Sequence, residues 1–181
     1  PKLGLTTNDH AQVAYDAWAG GCDFVKDDEN LSSQRFNPFE ERVVKTLIDA
    51  GDIVITVGGG GIPVVADENG LLKGVAAVID KDFASSLLAN RLGAELFIVS
   101  TAVEKVALNF GKPDEQWVDE MSLAEAKQYL AEGTHFANGS MAPKIEAIIN
   151  FLENGGKWAI VTNPQNLERA LAGETGTHFR P

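Results

Sequence analysis

The sequence predicts an α/β fold in which three layers, α/β/α, surround a mainly parallel sheet. Short β-branched apolar runs alternate with segments of helical periodicity, the usual sign of parallel βα units. The 181 residues are 44% hydrophobic, enough to form a packed core. No internal repeat or low-complexity linker interrupts the pattern, so we expect one domain over residues 1–181.

The predicted elements follow in chain order. Strand-like runs are KLGL (2–5), CDFVK (22–26), DIVITV (52–57), ELFIVS (95–100) and KWAIVT (157–162). Helical periodicity covers residues 8–19, 39–50, 81–92 and 141–152, and Ser122 with Glu125 forms the capping box of a shorter helix. Asn69 and Gly70, between two apolar runs, predict a two-residue hairpin turn.

Composition limits the class of ligand. The formal net charge of −11 repels nucleic acid and anionic lipid, which favours small molecules or proteins as partners. No apolar run reaches the roughly 20 residues that span a bilayer, so no membrane contact is expected. The single cysteine, Cys22, excludes an internal disulfide framework and fits a reducing, cytoplasmic location. The start at Pro1, without a basic leader, predicts a processed or fragment N-terminus.

Residues 20–30 read GGCDFVKDDEN, a strand followed at once by charged side chains. Such a run cannot continue a buried strand, so we expect it at the carboxyl edge, where α/β enzymes place their sites. Carboxylates there can bind Mg²⁺ through oxygen. A solvated loop or a helix cap is the alternative on the residues alone.

Residues 1–43 closely resemble the large chain of archaeal-type ribulose bisphosphate carboxylase, through the strings PKLGL and GGCDFVKDDEN. The resemblance implies a βαβα piece of a TIM-type barrel at the N-terminus. It also implies a vestigial metal site formed by Lys26, Asp28 and Glu29. In that family the corresponding lysine is carbamylated and binds Mg²⁺ together with the two carboxylates. Lys2 matches a lysine on the substrate side of the family's site. Carboxylase activity is not expected, because most of the barrel units are absent.

Three strings further along the chain suit anions. Within DIVITVGGGGIPVVA (52–66), Gly58, Gly59, Gly60 and Gly61 expose successive backbone N–H groups, although a tightly packed turn fits the same residues. Asp80 and Lys81 open a helix, where an acid is often merely a cap. Gly139, Ser140 and Met141 open another helix with Lys144 one turn in, which suits a phosphate, with an ordinary Ser cap as the alternative.

From residue 45 to residue 181 the strings GGGGIPV, AVIDKDFAS, NFGKPDE and GSMAPK, in that order, resemble carbamate kinase of the amino acid kinase superfamily. The resemblance implies phosphoryl transfer between carbamoyl phosphate and Mg-ADP, with ATP or ADP and Mg²⁺ as cofactors. It implies that Lys81 and Lys144 lie near the transferred phosphate and that Asp80 orients them. The nucleotide-binding residues that it implies are Thr101, Val103, Val106, Phe110 and Lys112. Ala142 stands where that family usually has Gly, and we expect the helix to tolerate it.

The two resemblances meet inside one predicted helix, near residues 40–45. Natural fusions more often join in flexible segments, so the join predicts an engineered chimera, with a composite sequence as the other explanation. The main expectation is a partial Mg-ADP/ATP site with little or no turnover, since the N-terminal half of the kinase site is replaced. The alternatives are a protein that folds without any ligand, and an active carbamate kinase. The resemblance also implies a homodimer.

Overall fold

The computed structural model describes residues 12, 16, 44, 46–49, 51, 53–137 and 139–181. The chain divides into two compact units, Pro1–Thr56 and Val57–Pro181. The strands predicted at 2–5 and 22–26 lie outside the described residues, as does the TIM-type barrel piece. A single domain over residues 1–181 stays a prediction.

The described part of the first unit is short. Gln12 and Asp16 are helical, and their side chains form a hydrogen bond of 2.8 Å at the i,i+4 spacing. Helix α1 spans Thr46–Asp49, inside the segment predicted to be helical. Residues 53–57 form no strand, and Ile53 is 97% exposed, so the predicted strand at 52–57 is wrong over its described residues. A β-branched run becomes a strand only when a neighbouring strand and apolar cover complete it.

The second unit contains eight strands and four α-helices among its described residues. The strands are β1 (Val64–Ala66), β2 (Leu72–Gly74), β3 (Leu96–Ser100), β4 (Val106–Leu108), β5 (Gln116–Val118), β6 (Glu120–Ser122), β7 (Trp158–Thr162) and β8 (Thr177–Arg180). The helices are α2 (Lys81–Leu92), α3 (Leu123–Glu132), α4 (Met141–Glu153) and α5 (Leu167–Leu171). None of the helices in the described ranges is long and apolar enough to cross a membrane.

A four-stranded sheet forms the centre of this unit, with strand order β3-β7-β8-β6. Strands β3 and β7 are parallel, as are β6 and β8, and they confirm the strands predicted at 95–100 and 157–162. Strand β8 runs antiparallel to β7. The sheet is therefore mixed rather than mainly parallel, because the short segment after β7 returns the chain in the opposite direction.

Helices cover both faces of this sheet. Alternate residues of β7 point to opposite faces, so Ala159 and Val161 join the core cluster that contains Ile145, Ile148 and Phe151 of α4. On the other face, a Cβ built on Gly176 would stand 3.3 Å from Ile160 Cγ2 of β7 and 3.2 Å from Ala170 Cβ of α5. The α/β/α layering predicted from sequence is thus present in this unit.

Helix ends follow their local signals closely. Helix α2 begins after Asp80, whose side chain accepts the Asp82 amide at 2.7 Å, and ends at Gly93 with φ of 68°. Helix α3 carries the predicted capping box: the Ser122 hydroxyl accepts the Glu125 amide at 3.2 Å, and the Glu125 carboxylate accepts the Ser122 amide at 2.8 Å. The helix predicted at 141–152 is confirmed as α4.

Strands β1 and β2 form the predicted hairpin, but its connection is longer than two residues. Asp67 Oδ1 accepts the amides of Asn69 and Leu71, both at 2.9 Å, and the Asp67 amide donates to the Leu71 carbonyl at 2.9 Å. The loop is therefore organised by the Asp67 side chain, and the two-residue turn predicted from Asn69-Gly70 is wrong.

Candidate functional site

Two lysines meet one carboxylate where α2 and α4 begin. Lys144 Nζ lies 2.9 Å from Asp82 Oδ2, and Lys81 Nζ lies 3.6 Å from the same oxygen. The side chains of Asp82 and Lys144 are only 13% and 15% exposed, whereas that of Lys81 is 54% exposed. The cluster therefore carries two positive charges and one negative charge at the start of two helices.

The packing of α2 against α4 brings these residues together. Ser86 of α2 is fully buried, and its hydroxyl donates to Asn150 Oδ1 of α4 at 3.0 Å. The Asn90 amide donates to the same Asn150 oxygen at 3.3 Å. These polar contacts fix the two helices along their length, so the first turn of α2 faces the Lys144 side chain.

The glycine run lies against the start of α2. A Cβ built on Gly60, which has φ of 150°, would stand 2.3 Å from the Ile79 carbonyl oxygen. A Cβ on Gly61 would contact the side chains of Ile79 and Ala84 at 3.6 and 3.9 Å. At Gly58 and Gly59 no atom of the structure comes within 4 Å of the built Cβ. Gly60 and Gly61 are thus packed closely against neighbouring residues, whereas the backbone at Gly58 and Gly59 is open.

Asp80 and Asp82 have different surroundings. Asp80 caps α2 through the Asp82 amide, and the carboxylate that contacts both lysines belongs to Asp82. Sequence reasoning missed Asp82, because an acid in a first helical turn is ordinarily explained by the helix dipole. The sequence did contain one signal for Asp82. Asp80 occupies the capping position of α2, so Asp82, the second acid of the DKD string, has no capping role that would explain it.

The start of α4 differs from an ordinary serine-capped helix. Ser140 precedes the helix with φ of −141° and ψ of −67°, and it makes no side-chain capping bond to the described part of α4. The amides of Ser140 and Ala142 donate to the Ala137 carbonyl at 3.1 and 3.2 Å. Gly139 and Ser140 are exposed, Met141 packs partly on the core, and Ala142 is accommodated inside the helix as predicted.

The residues predicted for the nucleotide have mixed exposure. Thr101 follows β3, and its amide donates to the Thr162 carbonyl at the end of β7, at 2.8 Å. Val103 is partly exposed in the loop beyond, and Phe110 is 62% exposed in the turn after β4. Val106 is fully buried in β4, so its side chain belongs to the core. The adjacent parallel strand ends of β3 and β7 are the edge where open sheets bind ligands.

The turn after β4 is tied to the loop that precedes α4. Lys112 Nζ donates to the Thr134 carbonyl at 3.0 Å. The next residue, His135, lies 2.7 Å from Glu132 through Nε2 and packs edge-on against Tyr129. Hydrogen bonds from Gln128 and then from His135 hold the pKa of the Glu132 carboxyl below its ordinary value. The loop between α3 and α4 is therefore held by defined contacts at its first residues, just after α3.

Metal-binding clusters are not evident in the described ranges, where no group of three or more His, Cys, Asp or Glu side chains converges. The predicted vestigial site of Lys26, Asp28 and Glu29 lies outside those ranges. It stays a prediction from the resemblance.

Comparison with known proteins adds a family match. The model of the amino acid kinase family matches residues 4–163. The carbamate kinase of Thermoplasma volcanium is 52% identical over 142 residues, 78% of this chain and 46% of that protein. The carbamate kinase-like protein YqeA of Escherichia coli (strain K12) is 51% identical over 139 residues, 76% of this chain and 44% of that protein. The chain thus spans less than half the length of these two curated relatives.

A solved structure has a similar fold. The carbamate kinase of Giardia lamblia bound to AMP-PNP superposes with a TM-score of 0.71 at 39% identity, covering 83% of this chain and 55% of that one. The comparisons give no support to a carboxylase origin of residues 1–43 or to a chimeric join, since the family match begins at residue 4.

Proposed function

This chain belongs to the amino acid kinase family, and on that premise we propose that it transfers a phosphoryl group between carbamoyl phosphate and Mg-ADP, giving ATP and carbamate. The observation that carries the proposal is the cluster of Lys81, Asp82 and Lys144 beside the glycine run. The relatives named as carbamate kinases support this choice of substrate.

The lysine cluster suits the charge changes of this reaction. A terminal oxygen of ADP attacks phosphorus, the bond from phosphorus to the carbamoyl oxygen breaks, and carbamate leaves with the electron pair. Negative charge spreads over the transferred group, and fixed cations stabilise it without reorganising. Asp82 holds Lys144 in place by an ion pair of 2.9 Å before any substrate binds. Lys81, more exposed, is the lysine with more freedom to follow the phosphoryl group.

Backbone amides would supply the remaining contacts to the phosphates. Gly58 and Gly59 present backbone that no neighbouring side chain covers, on the loop that packs against the start of α2. Gly139, Ser140 and Met141 lie at the start of α4, which also carries Lys144. Helix starts favour anions because their amides and dipole both point towards the ligand. We therefore assign both strings to the phosphate groups of the bound substrates.

The nucleotide would lie beyond the ends of β3 and β7. Thr101, Val103, Phe110 and Lys112 are its proposed contacts, and buried Val106 would support them from the core. The relative from Giardia lamblia, which was solved with AMP-PNP, supports a nucleotide as the ligand. Lys112 joins this group to the loop leading to α4, so base and phosphates would share one connected surface.

Magnesium fits this site as an ion carried mainly by the nucleotide. Within the described ranges, Asp82 is occupied by two lysines and no cluster of three metal-binding side chains exists. Mg²⁺ commonly keeps several waters and binds phosphates with one or two carboxylates. Asp80, exposed at the start of α2, is the carboxylate that we expect to hold it, and the ion would neutralise phosphate charge.

The proposal is tested by a coupled assay for ATP formed from carbamoyl phosphate and Mg-ADP. We expect Lys144→Ala to lower kcat/KM by about a hundredfold or more, the scale seen when one transition-state donor is removed. Lys127→Ala is the matched control, because Lys127 pairs with Glu153 on the exposed side of the helices. A wild-type signal no higher than that of Lys144→Ala would reject phosphotransfer.

Binding of Mg-ADP without turnover is the second candidate. The described residues provide two lysines and two amide-rich strings, whereas phosphoryl transfer requires charge to be neutralised from several sides. Binding requires fewer of these contacts. A calorimetric titration with Mg-ADP separates the two candidates: saturable binding that weakens in Lys144→Ala, with no ATP formed, would favour the binding function. A ligand that binds only the folded state would also raise Tm.

A further inference from the structure

A polar cavity lies where α2 and α4 end, at the edge of the sheet where β3 and β7 begin. Its volume is about 120 Å³, and the two loops that follow these helices line it. Asn90 and Glu95 lie on one side, and Asn154 and Lys157 lie on the other. About 15 Å of helix separates Asn154 from Lys144, so the cavity is distinct from the proposed phosphate site.

Backbone N–H groups around this cavity are already used. The amides of Gly93 and Ala94 donate to carbonyls of α2, at 3.2 and 2.9 Å. After α4, the amides of Asn154, Gly155 and Gly156 donate to carbonyls of that helix, at 3.3, 3.3 and 3.0 Å. These two loops therefore have few donors left for a ligand.

Oxygen acceptors are left over at the same helix ends. The carbonyls of Gly93, Asn154 and Gly155 accept no hydrogen bond from any described residue. Asn90 Oδ1 is buried and also has no partner in the part of the chain that the structure describes. Its orientation is set by the other amide atom, since Asn90 Nδ2 donates to Asn150 Oδ1 at 3.3 Å. The cavity is thus rich in acceptors and poor in donors.

An ion pair stands beside these carbonyls. Lys157 Nζ contacts Glu95 Oε1, and the two side chains are 66% and 68% exposed. The Lys157 amide also donates to the Glu95 carbonyl at 3.1 Å, so the backbone keeps the two residues together. Each helix end contributes about half a negative charge. Because the charges of the pair cancel, the two helix ends leave an excess of negative charge at the cavity.

We infer that this cavity binds a monovalent cation such as K⁺ or NH₄⁺. Carbonyl oxygens can replace the hydration shell of K⁺, and NH₄⁺ can donate hydrogen bonds to the same oxygens. The volume is sufficient, because one water needs roughly 10–15 Å³, so an ion can enter with some of its waters. A divalent ion fits less well, since Ca²⁺ takes about six to eight oxygen ligands, carboxylates among them, and Glu95 is the one carboxylate in the described lining.

The bound cation would stabilise the packing of α2 beside α4. The two helices run in the same direction, so their negative ends lie side by side and repel each other. A cation between these ends offsets that repulsion. The first turns of the same two helices carry Asp82 and Lys144, so the ion would support their alignment from the far end.

Thermal unfolding of the 181-residue chain tests the inference in KCl, NH₄Cl and choline chloride at equal ionic strength. Choline is the reference, because its bulky quaternary group has no N–H to donate and cannot approach carbonyls closely. We expect Tm to be about 2–4 °C higher in KCl than in choline chloride, with a plateau as the site saturates. A rise with both K⁺ and NH₄⁺ supports a bare ion, and a rise with NH₄⁺ alone supports a cation held by N–H donation.

Two variants break the same ion pair but change the charge of the cavity in opposite directions. Glu95→Gln removes the carboxylate and should weaken K⁺ binding by about tenfold, whereas Lys157→Gln removes the competing ammonium and should strengthen it by a similar factor. A merely structural role of the pair would change both variants alike. Glu174→Gln, from the exposed pair with Arg169, is the matched control and should respond to K⁺ as the wild type does.

Equal Tm values in the three salts would overturn the inference. An identical K⁺ response in the wild type, Glu95→Gln and Lys157→Gln would also overturn it, because such a response is general salt screening. Equilibrium dialysis with Rb⁺, a substitute for K⁺, gives a direct count that should be about one ion per wild-type chain. Wild-type binding no greater than that of Glu95→Gln would contradict the site. These readouts do not involve ATP formation, so their failure leaves the proposed function standing.

Discussion

Lys144 and Asp82 are 62 positions apart in the chain, yet their side chains form an ion pair of 2.9 Å that is largely withdrawn from water. Such a pair is sensitive to the loss of one partner, because the remaining charge stays partly buried without compensation. The same carboxylate also faces Lys81, so its charge keeps two ammonium groups close together.

Asp82→Asn should therefore separate the two lysines while keeping the shape of the side chain. We expect kcat for ATP formation to fall by about ten- to a hundredfold, with a smaller change in Mg-ADP affinity because net positive charge at the site rises. The free energy of unfolding should fall by about 1–3 kcal/mol. Steady-state kinetics and denaturant titration measure these effects, and Asp119→Asn, from the more exposed pair with Lys105, is the control. A loss confined to Mg-ADP affinity would contradict the positioning role of Asp82.

Gly60→Ala should displace the glycine run from the start of α2. The added methyl would stand 2.3 Å from the Ile79 carbonyl, and φ of 150° is unfavourable for any side chain. We expect unfolding free energy to fall by about 1–3 kcal/mol and activity to fall further, since the loop would move away from Lys81. Gly74→Ala in β2 is the matched control, because open space surrounds its Cβ position and it lies outside the glycine run. Equal Tm and activity for the two variants would show that the close approach is not required.

Thr177→Val should loosen the hairpin of β4 and β5 from the sheet. The Val106 amide and the Val118 carbonyl would each lose a buried partner, at a cost of about 1–3 kcal/mol in unfolding free energy. Denaturant titration gives this value, and hydrogen exchange at the Val106 amide should become faster. Thr177→Ser keeps the hydroxyl and should retain most of the stability. If Thr177→Ser were as unstable as Thr177→Val, packing of the methyl group rather than the hydrogen bonds would be responsible.

The capping box of α3 should give a pH-dependent contribution to stability. Hydrogen bonds from the Ser122 amide and hydroxyl hold the pKa of the Glu125 carboxyl below its ordinary value. The charged form is thus favoured by folding, so its contribution is complete above the ordinary carboxyl pKa and is lost as pH falls through the lowered one. Tm of Glu125→Gln should lie below that of the wild type near neutral pH, and the difference should shrink in acid. A difference independent of pH would contradict this account.

Local signals account for the parts of the fold that the sequence predicted well. The bounds of α2 follow from the Asp80 cap and from Gly93 in the left-handed conformation, and those of α3 from the Ser122–Glu125 box. These contacts join residues a few positions apart, and short-range rules capture them. The carbamate-kinase resemblance likewise depended on strings, and the relatives named as carbamate kinase or carbamate kinase-like support it.

Long-range contacts account for what the sequence did not predict. Ile53 and Ile55 have strand propensity but no described partner strand, so their run stays outside the sheet. Asp67 reorganised the hairpin loop because its carboxylate competes for backbone amides, an effect that the Asn69-Gly70 signal does not include. The DKD string could single out Asp82 as an acid without a capping role, but nothing in the sequence pattern specifies its contact with Lys144, 62 positions away.

The polar contacts between α2 and α4 extend the set of residues on which chemistry would depend. Ser86, Asn90 and Asn150 touch no proposed substrate, but they set the alignment of the helices that carry Asp82 and Lys144. A slip of one helical turn, about 5.4 Å, would part the ion pair completely. Under selection for turnover, neutral drift at these three positions should be slow, because a substitution there would disturb both the packing of the two helices and the geometry of the ion pair.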